Sequence, residues 1–215
     1  MKNLEKYFDH TLLKNSASKD DYIKLADEAK KYNFFSVCVP PVRIQLMKEL
    51  LKNTEVKVCT VVGFPFGYQT TATKIFEVEN AIENGADEID VVIQVGLVKD
   101  REFDLIKDEL IRIKKAAGNH IVKAIIETAD LTANEIKIVS KLVEESGVDF
   151  VKTSTGFSSR GASLEDIEII KSSIEGNAKI KASGGIKTYE DAIKFIEKGA
   201  DRLGLSKSVD VIQMK

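Results

Sequence analysis

The 215-residue chain alternates between two hydrophobic patterns. Short runs rich in Val and Ile, apolar at most positions on both faces, cover residues 34–39, 57–64, 88–93, 121–128, 149–155, 178–184 and 201–206. Such runs belong to strands of a parallel sheet that is covered on both sides. Between them, segments such as 19–31, 73–84, 102–117 and 132–145 place apolar residues at helical spacing, with Lys and Glu on the opposite face. Gly85, Gly147 and Gly199 each follow a helical segment and suit its C-terminal cap. The sequences Asn84-Gly85-Ala86-Asp87, Ser146-Gly147-Val148-Asp149 and Lys198-Gly199-Ala200-Asp201 therefore read as one helix-to-strand joint used three times.

An eighth strand is expected at 8–12, after a short helix over 4–7. Eight βα units closing into a barrel fit this length, so the pattern predicts a single (β/α)8 TIM-barrel domain over residues 1–215 with a short N-terminal helix. The competing architecture, an open doubly wound sheet, lacks the GxGxxG turn expected after its first strand. No linker or low-complexity tract divides the chain.

Composition narrows the function. With 32 basic and 34 acidic residues the chain has no global field for nucleic acid or an anionic membrane, though a local phosphate pocket needs only a few groups. The opening Met1-Lys2-Asn3-Leu4-Glu5-Lys6 is charged, unlike a secretory core, and no apolar stretch is long enough to span a membrane. A soluble, cytoplasmic protein is expected. Cys38 and Cys59 lie in apolar runs without a CxxC partner and read as two buried thiols. Only two histidines, His10 and His120, are present, so a histidine-rich metal site is not expected. No GxSxG elbow appears.

Barrel chemistry collects where strands end and βα loops begin. Asp90 lies among β-branched residues, where an unpaired charge would cost several kcal/mol. Lys152 and Lys181 precede small, polar, glycine-ending loops, whereas Lys123 lies early in its run and is expected to point outward toward acids on the helices. Two ammonium groups facing one small space depress each other's pKa, which makes a lysine a usable nucleophile near neutral pH. One acid, one nucleophilic lysine and one supporting lysine form the inventory for imine chemistry. Ser183-Gly184-Gly185 and Gly204-Leu205-Ser206 end the last two strands, where barrels often bind phosphate.

Seven blocks in order now resemble the 2-deoxyribose-5-phosphate aldolases over nearly the whole chain. They are Asp9-His10-Thr11-Leu12-Leu13-Lys14, Ser36-Val37-Cys38-Val39, Val58-Cys59-Thr60-Val61-Val62-Gly63-Phe64-Pro65, Asn84-Gly85-Ala86-Asp87-Glu88-Ile89-Asp90, Ile125-Ile126-Glu127-Thr128, Phe150-Val151-Lys152-Thr153-Ser154-Thr155-Gly156-Phe157 and Lys181-Ala182-Ser183-Gly184-Gly185-Ile186. The resemblance implies a class I aldolase that cleaves 2-deoxyribose 5-phosphate to glyceraldehyde 3-phosphate and acetaldehyde, with no metal and no organic cofactor. It implies Lys152 as the Schiff-base lysine, Lys181 as the lysine that lowers its pKa and Asp90 as the proton relay. Gly156, Gly184, Gly185, Gly204 and Ser206 match phosphate-loop positions, and Asp9, Thr11 and Thr153 match the lining of the substrate mouth. A homodimer is implied as well. Three features depart from the family: Lys207 and Ser208 stand where a Ser-Gly pair is usual, Gln94 stands where Asn is frequent, and a longer C-terminal tail is not expected.

Overall fold

The computed structural model describes residues 3–214. Eight parallel strands close a barrel in chain order: β1 Phe8–Thr11, β2 Ser36–Val39, β3 Lys57–Val62, β4 Glu88–Val92, β5 Ile121–Ile125, β6 Phe150–Lys152, β7 Lys179–Ser183 and β8 Arg202–Leu205. The surrounding helices are α1 Lys19–Tyr32, α2 Ile44–Leu50, α3 Thr71–Glu83, α4 Val95–Lys99, α5 Phe103–Ala117, α6 Ala133–Glu145, α7 Leu164–Ser173, α8 Tyr189–Lys198 and α9 Ser208–Gln213. The short helix expected at the N-terminus is one 3-10 turn, Leu4–Tyr7. No helix among the described residues is long and apolar enough to cross a membrane.

Helix ends follow local chemistry. Ser18, Thr132, Ser163 and Thr188 cap α1, α6, α7 and α8, each in a reciprocal capping box with an acid three residues on. The thrice-used joint has a second function beyond its glycine. Asp87, Asp149 and Asp201 each accept the backbone N–H of the preceding strand, from Val58, Val122 and Ile180, at 2.8–2.9 Å. That contact pins the register between neighbouring strands at the barrel's N-terminal end. The strands themselves end earlier than the apolar runs do. Gly63 and Glu127 adopt positive φ, so the chain turns out of the sheet into the functional loops there.

Two different cores result from the period of 2 along each strand. Outward residues such as Phe8, Val37, Ile89, Val122, Val151, Ile180 and Leu203 are buried against the helices in one apolar layer. Inward residues are largely ionic. Asp9, Glu88, Asp90, Lys123 and Arg202 are all buried inside the barrel. A small second cluster of Cys38, Cys59 and Val61 packs beside them, and both cysteines are free thiols.

Lys123 corrects the expectation that it points outward. It lies opposite Asp90 in the β4–β5 register, and its amine is 2.8 Å from Asp90 Oδ1 and 2.7 Å from Glu88 Oε2. Position along the strand says little about direction; parity decides the face, and Lys123 shares its face with Ile125. Burial opposes the Lys123 ammonium, but Asp90, Cys59, Glu88 and Asp9 outweigh it and hold the group well above the ordinary lysine value. Arg202 donates to Asp9 Oδ1 at 2.8 Å and Glu88 Oε2 at 3.1 Å while stacking 3.5 Å from the Phe35 ring centroid. Ser36 completes the coordination of Asp9 Oδ1 at 2.6 Å.

Removing one member of such a network leaves its partners buried and unpaired. Lys123→Met should therefore cost roughly 3–5 kcal/mol, read from chemical denaturation; a loss within experimental error would contradict this role. Acid should act through Asp9 and Asp90. Burial pushes both carboxyls up, yet the lysines and, for Asp9, Arg202 hold them well below the usual range. Their contribution is complete above the unfolded carboxyl value of about 4 and is lost as pH falls below it. The denaturation midpoint should drop steeply below about pH 4, and a midpoint unchanged down to pH 3 would contradict this linkage.

Candidate active site

Strand register brings Lys152 of β6 directly opposite Lys181 of β7. Both amines donate to the same oxygen, Asp90 Oδ2, at 2.7 Å. The other Asp90 oxygen accepts from Lys123 at 2.8 Å and from the Cys59 thiol at 3.1 Å. One carboxylate thus holds three lysines and a thiol, and the three residues expected to do chemistry meet at it. Cys59 is more than core filling, although burial pushes its thiol well above the ordinary value.

The two site lysines differ in their surroundings. Lys181 also sits 2.5 Å from Asp9 Oδ2 as an ion pair. Burial works against its charge, but Asp9 and Asp90 prevail and hold it above the ordinary lysine value. Among the described residues, Lys152 forms an ion pair only with the shared Asp90 oxygen, and it also reaches a cavity of about 600 Å³ at the C-terminal mouth. Within the buried network, Asp9, Glu88 and Asp90 face Lys123, Lys152, Lys181 and Arg202. Of these four basic side chains, Lys152 is the one at the cavity floor.

Of the residues the resemblance assigns to substrate, Thr11, Gly156, Gly184, Gly185, Gly204 and Ser206 line this cavity. Asp9 and Thr153 do not. Asp9 lies beneath the cavity in the ion network. Thr153 is fully buried, and its hydroxyl oxygen accepts from the Ser183 backbone and the Ser154 hydroxyl. Asp90 and Lys181 likewise lie below the wall. Lys207 is not on the wall, whereas Lys14 is. Glycine at 204 is required by close approach, since a Cβ there would lie 2.4 Å from Ser183 Oγ and 3.2 Å from Lys181 Cε. Gly184 and Gly185 take φ of 76° and 81°, which carries the chain tightly around the cavity rim.

Ser183, from the strand end expected to bind phosphate, also lines the cavity, and so do Thr155, Phe157 and Lys14, which lie in the matched blocks but carry no assigned role in the sequence reading. Ser183 Oγ is buried without a hydrogen-bond partner. Thr155 donates to the buried Glu127 carboxylate through both its hydroxyl and its backbone N–H. Burial pushes the Glu127 carboxyl up, against those two hydrogen bonds. A smaller hollow of about 180 Å³, lined by Glu127, Thr155 and Phe157 among others, adjoins the main cavity. A wider hollow at the opposite, N-terminal mouth has Phe150 and Arg202 in its wall, both buried, and no network lysine.

Two donor sets resemble metal ligands, Cys38–Cys59–Asp90 and Asp9–Cys59–Glu88, with donor atoms within 4.8 Å of one another. The Lys123 ammonium already approaches Cys59, Glu88 and Asp90 within 3.3 Å. Its charge occupies the position a cation would take, so these donors fit the lysine better than a metal.

Comparison with known proteins agrees with this geometry. Residues 4–209 match the family described as DeoC/LacD family aldolase. Deoxyribose-phosphate aldolase 1 of Mesoplasma florum is 50% identical over 210 residues, covering 98% of this chain and 96% of that protein. Deoxyribose-phosphate aldolase 1 of Staphylococcus aureus is 49% identical, covering 97% and 95%. The tetrameric deoxyribose phosphate aldolase structure from Aeropyrum pernix superposes with a TM-score of 0.89 at 30% identity, covering 98% and 89%. With a shared family pattern and a lysine-bearing cavity on one closed barrel, the chain belongs to the DeoC/LacD aldolase family.

Proposed function

We propose that this protein is a class I aldolase that reversibly cleaves 2-deoxyribose 5-phosphate to glyceraldehyde 3-phosphate and acetaldehyde, with Lys152 as the imine-forming residue. One observation carries the reading. Of the three lysines on Asp90, only Lys152 reaches the cavity, while Lys123 and Lys181 are held as cations by several carboxylates. The names of relatives at about half identity supply the substrate.

The free amine of Lys152 attacks the C1 aldehyde of the open-chain sugar, and loss of water yields an iminium ion. That cation is the electron sink. A base removes the C3 hydroxyl proton, the C2–C3 bond breaks, and its electron pair moves into the iminium to give an enamine on Lys152. Glyceraldehyde 3-phosphate leaves. A proton added at C2 regenerates an iminium, and water hydrolyses it to acetaldehyde and the free lysine. Asp90, held as a carboxylate, stabilises each iminium, and with Lys181 and a water it relays the protons. Neither a metal nor an organic cofactor has a role in this sequence.

Phosphate is assigned to the glycine-rich rim, with Gly156, Gly184, Gly185, Gly204 and Ser206 near it and Lys14 as the added charge. The partnerless Ser183 hydroxyl on the same wall donates a hydrogen bond to the sugar phosphate. The substrate set includes no nucleic acid and no membrane. We place the protein in the cytoplasm, where its two free thiols stay reduced, as a homodimer, the commonest symmetric assembly, although the Aeropyrum pernix relative is tetrameric.

Lys152→Arg keeps a charge on Asp90 but cannot form the imine. Formation of glyceraldehyde 3-phosphate in a coupled assay should fall on the order of 10⁵-fold, with the circular dichroism spectrum retained. Near-wild-type turnover would remove Lys152 from the mechanism.

A further inference from the structure

Glu127 carries two features that stability alone disfavours. Its backbone is left-handed, with φ 52° and ψ 70°. Its carboxylate is buried, yet Oε1 has no hydrogen-bond partner. Buried orphans and positive φ at a residue with a side chain persist where a site constrains them. Here the constrained partner is Thr155, which gives both its N–H and its hydroxyl proton to Glu127 Oε2.

That contact decides what Thr155 can do. A threonine hydroxyl has one proton and two lone pairs. The proton is committed to Glu127, and one lone pair accepts from the Phe157 N–H at 3.0 Å. Only an acceptor position remains, on a residue that lines the sugar-phosphate cavity together with Lys152. Such a group can receive a ligand's O–H and cannot serve a ligand's carbonyl or phosphate oxygen.

We infer that Glu127 is a positioning residue that holds Thr155 as a hydrogen-bond acceptor on the cavity wall, so that the site selects aldehydes and sugars bearing a free hydroxyl there. The inference rests on the proposed aldolase reading, which supplies such a ligand. Apart from the C3 hydroxyl that reacts, 2-deoxyribose 5-phosphate in open-chain form carries one more hydroxyl, at C4. The same group is the C2 hydroxyl of glyceraldehyde 3-phosphate. Thr155 recognises that group, and Glu127 acts through Thr155 without touching substrate.

The test runs the reaction in the synthetic direction, with acetaldehyde as donor and two acceptors. Glyceraldehyde 3-phosphate carries the hydroxyl; 3-oxopropyl phosphate is the same chain without it. Wild-type protein should prefer the first by about tenfold or more in kcat/KM. Thr155→Val and Glu127→Met should each reduce that ratio to within about twofold, and Thr155→Ser, which restores the hydroxyl, should recover it. A loss of folding or of general activity would lower both acceptors together and leave the ratio in place, and the Thr155 pair reads the ratio even if Glu127→Met does not fold. A ratio retained in Thr155→Val, or absent in the wild type while both acceptors react, overturns this inference and leaves the aldolase reading standing. No product from either acceptor overturns both.

Discussion

The shared carboxylate of Asp90 is the interaction on which the site depends. A buried anion is costly by itself, and so is each buried ammonium group. Together they form a cluster in which Asp90 accepts from Lys123, Lys152, Lys181 and Cys59. Asp9, Glu88 and Arg202 extend the cluster toward the barrel floor. The arrangement separates two demands. Lys123 and Lys181 are held as cations in the resting site, and Lys152 is left at the edge, where a substrate carbonyl can reach it.

This geometry requires the barrel. Asp90, Lys123, Lys152 and Lys181 come from β4, β5, β6 and β7, and the parallel registers of those strands set which side chains face one another. The apolar layer between strands and helices supplies the stability that an ionic interior does not. The aspartates of the helix-to-strand joints then hold neighbouring strands in register from below. Fold and chemistry therefore occupy opposite faces of the same strands.

Much of this was legible in the sequence, for identifiable reasons. Alternation of apolar runs and amphipathic segments specified the βα repeat, and its aspartate-containing joint recurs unmistakably. Asp90, Lys152 and Lys181 stood out because charges inside β-branched runs need an explanation. Lys123 is not legible from its depth along the strand, because its face is set by parity and by the β4–β5 register that puts it opposite Asp90. The resemblance puts Asp9 and Thr153 at the mouth, whereas strand closure buries one in the ion network and fills both acceptor positions of the other's hydroxyl. Glu127 and Thr155 are 28 residues apart, and no local pattern connects a left-handed acid on one loop with a hydroxyl on the next.

Reduction with borohydride in the presence of acetaldehyde, followed by peptide mass mapping, reads the chemistry of the lysine cluster without assuming a rate or a phosphate site. If Lys152 is the amine that leaves Asp90 to form the imine, it alone gains a reduced two-carbon adduct, while Lys123 and Lys181 stay unmodified. An adduct on Lys181 in place of Lys152, or no adduct on folded protein, would contradict the account.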